Sequence, residues 1–422
     1  MTNEMEYLIH LYTCGSKGIC ATPPNKTIDW EKLVSLAINQ SITYTVAMAI
    51  KKSHTGCPSR IKYRLISSLR GAAIKNSIKT DRILELVNRM KNAGIDVIII
   101  KGIDVARYYA NPECRVSSDT DLLIKPEDEQ KAIKFLKNEG FNVKLRIKTN
   151  NHSVGVHPEL GMIELHVTLL PDFFKKEVLK KWDFEDNLFE NKVEVLFYKL
   201  PYYSLNYTEN LMFLTHHMIK HFMFNGISLR MIMDNALYSK NNIEKIDKQQ
   251  YKNALKETRY YYVMQLLFGV AVKYFGFSKT DFPIEPIICN EDISMILDDL
   301  EEGGWQGKNN ENERIDCWYV YGRKRTIEKK NKSKSINNLN KEFIVGSIAT
   351  LFLPLENMQE KYPVLNKHQW LYVFCSFHRI LVRGPKFLQK SKLISKHFFM
   401  DESDLSQAGK QRIEMFRKLK LM

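Results

Sequence analysis

At 422 residues, with 44% hydrophobic and 11% aromatic side chains, the chain exceeds what one hydrophobic core normally supports and lies far from the composition of disorder, so two or three packed units are expected. Its formal charge of +15 favours an anionic partner such as a nucleotide, a nucleic acid or an acidic surface, although solubility accounts for such a charge equally well. The seven cysteines are scattered without a CxxC pair, which argues against a zinc or redox motif and fits a reducing cytoplasm; no secretory signal is expected at the acidic N-terminus, and the apolar segments 260–272 and 344–355 are too short to span a membrane.

In chain order, residues 1–80 read as an N-terminal helical region, with Trp30, Leu33, Val34, Leu36 and Ala37 at helical spacing behind a Thr27–Asp29 start signal. A helix over 81–93 stops at Gly94. The period then changes: 95–100 (IDVIII) is a β-branched run suited to a strand buried on both faces. Lys101 and Gly102 close it and open a short helix over 103–110. A second strand at 119–125 ends before Pro126, which starts a helix through Leu136. Alternation predicts a third strand from Phe141 to Ile147 and a fourth over 162–169. The unit at 81–205 is therefore α+β, a small mixed sheet with helices. Residues 206–422 return to helices (209–224, 228–238, 252–275 and later ones), interrupted by a basic, aperiodic stretch at 323–334 that reads as an exposed loop. Walker, GxGxxG and GxSxG motifs are missing, so P-loop kinases, Rossmann dehydrogenases and serine hydrolases have no support.

The chemistry concentrates in Asp119-Thr120-Asp121. Two carboxylates two residues apart on a strand point to the same side and form a hard oxygen cage suited to magnesium. A third acid, Glu164, sits on a later strand with His166 on its face, while Ile163, Leu165 and Val167 turn to the core. Alone, a DxD on a strand is as well explained by two solvated aspartates; the preceding strand, Lys-Gly turn and helix supply the phosphate-facing amides that a nucleotide site also needs.

The stretch VIIIKGIDVARYYANPECRVSSDTDLLIKPED, followed by NHSVGV and MIELHVTL, resembles the bacterial nucleotidyltransferase family labelled uncharacterised, a branch similar to the DNA polymerase β superfamily, with its spaced LKG, R…DxDLL and H…ELH elements. The resemblance implies a polymerase β-like core flanked by helical regions and two magnesium ions, with manganese as a substitute, on Asp119, Asp121 and Glu164. Glu164 is then a metal ligand or the base for an acceptor hydroxyl. Lys101 and Gly102 stand where other members carry a Gly-Ser phosphate turn, and Arg115 is a phosphate contact. The missing Gly-Ser leaves open how a triphosphate is gripped.

Other residues have a functional and a bland reading. His217 and His221 have i, i+4 metal-ligand spacing but lack a zincin glutamate, so packing competes with a site role. Arg230 and Asp234 read first as a helix ion pair and second as a substrate contact. His152 and His166 flank the Glu164 strand, where a role beside the metals or the acceptor competes evenly with a structural one. The expected activity is transfer of a nucleoside monophosphate from a nucleoside triphosphate to a hydroxyl on a small molecule or saccharide, an RNA or a protein. The alternative is a non-catalytic nucleotide- or nucleic-acid-binding protein of the same fold, which would gain little from three acids that repel phosphate.

Overall fold

In the computed structural model, the described residues are 1–146, 151–170, 187–224, 226–303, 358–359, 362–366, 368–378 and 407–421. They divide into two compact units, one of residues 1–143, 151–309 and 418–421, the other of 144–150, 310–417 and 422. The basic stretch at 323–334 and the apolar segment at 344–355 lie outside the described residues. No helix among the described residues is long and apolar enough to cross a membrane.

The first unit opens with four helices, α1 (Asn3–Lys17), α2 (Trp30–Asn39), α3 (Thr43–Lys52) and α4 (Ser59–Asn92). Asp29 caps α2 by accepting the Glu31 and Lys32 amides, the local signal that starts that helix. Helices α1 and α3 meet at Gly15, where a Cβ would lie 2.1 Å from the Thr45 carbonyl oxygen, so only glycine permits this approach. The sequence places a break before residue 81, but α4 runs unbroken for 34 residues. Its apolar positions come in two groups, Ile61–Leu65–Leu69 and Ile83–Met90, with only Thr80 buried in between.

The sheet follows. Strand β1 (Val97–Ile100) is fully buried, as its apolar run requires. Helix α5 is Gly102–Ala106, β2 is Asp119–Ile124, α6 is Glu129–Asn138 and β3 is Asn142–Lys144; β4 (His152–His157) and β5 (Gly161–His166) complete a five-stranded sheet of order β1-β2-β5-β4-β3. It is mixed: β1 is antiparallel to β2, β2 parallel to β5, and β4 antiparallel to β5. The α+β class and small mixed sheet are as expected. Strand β4 was not anticipated, because HSVGVH carries polar or small residues at most positions and only half of a hydrophobic alternation. A separate hairpin, β6 (Val193–Phe197) and β7 (Leu200–Ser204), was also missed.

Helices α7 (Tyr207–Phe224), α8 (Leu229–Asn242), α9 (Lys248–Glu257), α10 (Tyr261–Phe275) and α11 (Asn290–Gly303) complete this unit. The helix expected over 252–275 is divided between α9 and α10 by Thr258–Tyr260, where Arg259 adopts a left-handed φ of 64°. In the second unit, Met358, Leu365 and Cys375 form a small buried cluster with Tyr362, Leu371 and Tyr372 packed on it, and α12 spans Gln407–Lys418.

Candidate active site

The site forms where β2 and β5 run side by side. In their parallel register Asp119 lies opposite Met162 and Asp121 opposite Glu164. Alternation along the strands turns Asp119, Asp121, Glu164 and His166 to one face. Carboxylate oxygens of Asp119, Asp121 and Glu164 lie within 4.8 Å of one another, close enough to share a cation.

Each acid is held by protein donors through one oxygen. Ser117 and Ser118 hydroxyls donate to Asp119 Oδ1 at 2.9 and 3.4 Å. Asp121 Oδ1 takes the Lys101 ammonium at 2.8 Å and lies 3.1 Å from His166 Nε2. Glu164 Oε2 lies 3.3 Å from the same nitrogen, and Oε1 is 3.8 Å from His152 Nε2. Burial alone would raise the Asp121 carboxyl, but the charge of Lys101 and the hydrogen bond from His166 outweigh it and hold Asp121 well below the usual carboxylate range. Glu164 is lowered likewise: burial opposes the shift and the His166 bond prevails. Both acids are therefore ionised at neutral pH.

The turn before α5 is distorted for its position. Lys101 has φ 58° and Gly102 φ 30°, which aims the Lys101 ammonium back across the sheet to Asp121. Beside it opens a small cleft lined by Lys79, Thr80, Gly102, Arg115, Ser117 and Asp119. Lys79 reaches it from α4 and donates to the Ser117 carbonyl at 3.3 Å.

Across residues 26–276 the sequence matches the family described as "Uncharacterised nucleotidyltransferase". The chain belongs to this family. No curated protein matches the sequence. Among solved structures, the solution structure of the antibiotic-resistance factor ANT(2'')-Ia overlaps 45% of this chain and 95% of its own, at 10% identity and a TM-score of 0.33; at that overlap it adds nothing to the assignment.

In this nucleotidyltransferase, Lys101, Asp119, Asp121, His152, Glu164 and His166 come together. Gly102 borders the cleft. Arg115 lines the cleft with its guanidinium engaged by the protein. Its guanidinium, buried, bonds both Asp234 oxygens (Nε to Oδ1 at 2.8 Å, Nη2 to Oδ2 at 2.6 Å) and donates through Nη1 to the Gly102 carbonyl at 3.0 Å. The expected Arg230–Asp234 pairing is replaced accordingly: Asp234 takes Arg115 and the Tyr109 hydroxyl, and Arg230 donates to the Val116 carbonyl at 3.0 Å. Four residues thus brace the turn and the loop leading to Asp119.

His217 and His221 lie on α7 with ring centroids 4.5 Å apart. Burial, then the nearby charge of Lys101, drives His217 far below the ordinary histidine range, and burial with Lys220 takes His221 to about 3. Both are neutral at physiological pH. Lys220, between them in sequence, was missed. Burial and the Lys101 charge lower it to about 8, opposed by the fields of Glu164 and Asp121. A cation one residue from His221 on a largely apolar helix was the available signal. Lys79 gave none, since a lysine on a polar helix face is ordinary.

Proposed function

We propose that this nucleotidyltransferase moves a nucleoside monophosphate from a nucleoside triphosphate to a hydroxyl acceptor with magnesium on Asp119, Asp121 and Glu164. The observation that carries this reading is the in-register pairing of β2 with β5, which gathers three carboxylates while each commits one oxygen to a protein donor and keeps a second for a cation. That donor set suits a hard divalent ion. When bound, such ions would supply charge neutralisation on the phosphates and activation of the acceptor hydroxyl.

The chain's own residues do the rest. Ser117 and Ser118 fix Asp119, and Lys101 with His166 fixes Asp121, so the acids need no rearrangement as charge develops. Lys79 and Lys101 flank the cleft beside Gly102 and balance the phosphate charge. Arg115 acts on that edge through the Gly102 carbonyl, setting the turn's shape. Glu164, more exposed than Asp121, stands on the acceptor side. Lys220 adds a further positive charge to offset the leaving pyrophosphate.

The test is release of pyrophosphate from a mixture of nucleoside triphosphates with magnesium, followed by tracing labelled nucleotide into small molecules, RNA or protein of a host extract. Release that disappears in Asp119→Asn supports the reading. Nucleotide binding without pyrophosphate under any acceptor condition would make the chain a binder instead.

A further inference from the structure

Asn151 immediately precedes β4 and is buried at 7% exposure. Its backbone carbonyl accepts the Val167 amide at 2.9 Å, which anchors it between β4 and the end of β5. Its side-chain orientation is set by backbone groups: Nδ2 lies 3.1 Å from the Thr168 carbonyl and 3.3 Å from the Leu169 carbonyl, which share one of its two hydrogens and leave the other for His166. Carbonyl oxygens only accept, so this atom must be the amide nitrogen and Oδ1 the opposite acceptor. The same Nδ2 lies 3.0 Å from His166 Nδ1, and Oδ1 lies 3.1 Å from His152 Nδ1.

An amide nitrogen cannot accept, so His166 Nδ1 is the unprotonated ring nitrogen and its proton sits on Nε2. That N–H faces Asp121 Oδ1 at 3.1 Å and Glu164 Oε2 at 3.3 Å. For His152 the logic reverses. Asn151 Oδ1 only accepts, so Nδ1 carries the proton and Nε2 is a lone pair, 3.8 Å from Glu164 Oε1. His152 and His166 are cross-strand partners in the β4–β5 register, which brings both rings to one amide.

We propose that Asn151 is a positioning residue that fixes opposite tautomers in His152 and His166, giving the site one N–H that clamps Asp121 to Glu164 and one lone pair open to an acceptor hydroxyl at Glu164. The functional half rests on the reading of Asp119, Asp121 and Glu164 as the acid set. The ligand atoms of His152, Glu164 and His166 also lie within 4.8 Å of one another, the geometry of a two-histidine, one-carboxylate centre. Asn151 argues against that use, because a metal on His166 Nε2 would need Nδ1 protonated and pointing at an N–H donor. Outer partners of this kind are worth about 10–100-fold in activity.

Ring-nitrogen correlation spectra of histidine-labelled protein in alkaline buffer test the proposal, with His152→Gln and His166→Gln assigning the two rings. The expected wild-type pattern is Nε2–H for His166 and Nδ1–H for His152. Asn151→Asp keeps the shape but replaces the donor by an acceptor, so His166 should switch to Nδ1–H and kcat fall about 10–100-fold with little change in the nucleotide KM. Asn151→Leu, which removes both bonds, should lose the fixed tautomers as well. Nδ1–H on His166 in the wild type, or an unchanged tautomer and kcat in Asn151→Asp, would overturn the proposal. The spectra need no turnover, so an absence of nucleotidyl transfer sinks the reading above while leaving the tautomer test intact.

Discussion

Asp119→Asn and Asp121→Asn each remove one carboxylate charge at nearly constant volume, yet they are not equivalent experiments. Among the described residues Asp119 is held by the neutral hydroxyls of Ser117 and Ser118, so its amide variant should lose transfer while melting within a few degrees of wild type. Asp121 answers the ammonium of Lys101, which is 14% exposed. Asp121→Asn leaves that charge buried and unpaired, and a loss on the order of 3 kcal/mol of stability should accompany the loss of transfer. Denaturant unfolding beside a turnover assay separates the two; equal stability in both variants would show that Lys101 finds another partner. A second titrating residue lies away from the acids. Glu209, 2% exposed, has Oε2 buried with no hydrogen-bond partner among the described residues, and burial raises its carboxyl from 4.5 to about 7. Between those pH values the folded chain keeps a proton that the unfolded chain has released. Stability from this group is therefore complete below 4.5 and declines as the pH rises through about 7. Glu209→Gln should remove the decline and stabilise the protein at neutral pH by up to about 3 kcal/mol; an unchanged pH profile of unfolding would place an unseen donor on Oε2.

Arg115 and Asp234 join two elements, α8 and the turn that opens α5, through a chain of buried hydrogen bonds that continues from Asp234 to Tyr109 and on to Tyr12 of α1. Breaking it from one side strands a buried guanidinium. Asp234→Ala is expected to cost about 3–5 kcal/mol, visible as a lowered melting temperature before any change in nucleotide affinity. A variant that melts normally but binds nucleotide poorly would move Asp234 to the substrate. The opposite sign is expected at Gly71 in α4, where an added Cβ meets nothing within 4 Å. Gly71→Ala should stabilise by about 1 kcal/mol, the helix propensity difference, and a neutral or negative result would mean that the helix is bent there. At this scale the sequence was uneven. IDVIII and DTDLLI announced β1 and β2 because burial of a whole strand leaves an unmistakable apolar run. HSVGVH hid β4 because that strand is stabilised by its two neighbours and lends its polar face to the site. Arg259 concealed a helix break because a left-handed arginine carries no signature of its own.

For the molecule as a whole, the mixed sheet, the flanking helices and the three acids could be read from the chain, since periodicity and paired carboxylates are local properties. What could not be read was partnership. Arg115 read as a phosphate contact and is bound to a residue 119 positions away; Asp234 looked paired along its helix and is paired across the fold; Asn151, present only as the first residue of NHSVGV, touches both site histidines. Such choices depend on which elements pack together, and the sequence records only each side's readiness. Helix α4 carries a consequence of the same kind for motion. Its two ends are anchored by apolar side chains, while its middle turns are tied by Asn76 to the Glu113 carbonyl and by Lys79 to the Ser117 carbonyl. Amide hydrogen exchange usually enters a helix from its termini; here it should enter at the centre, with residues 70–78 exchanging faster than 61–69 and 83–90. Because those central turns touch the loop that carries Ser117 to Asp119, magnesium with a nucleotide should slow exchange there first, making the helix's weakest stretch its earliest reporter of an occupied site.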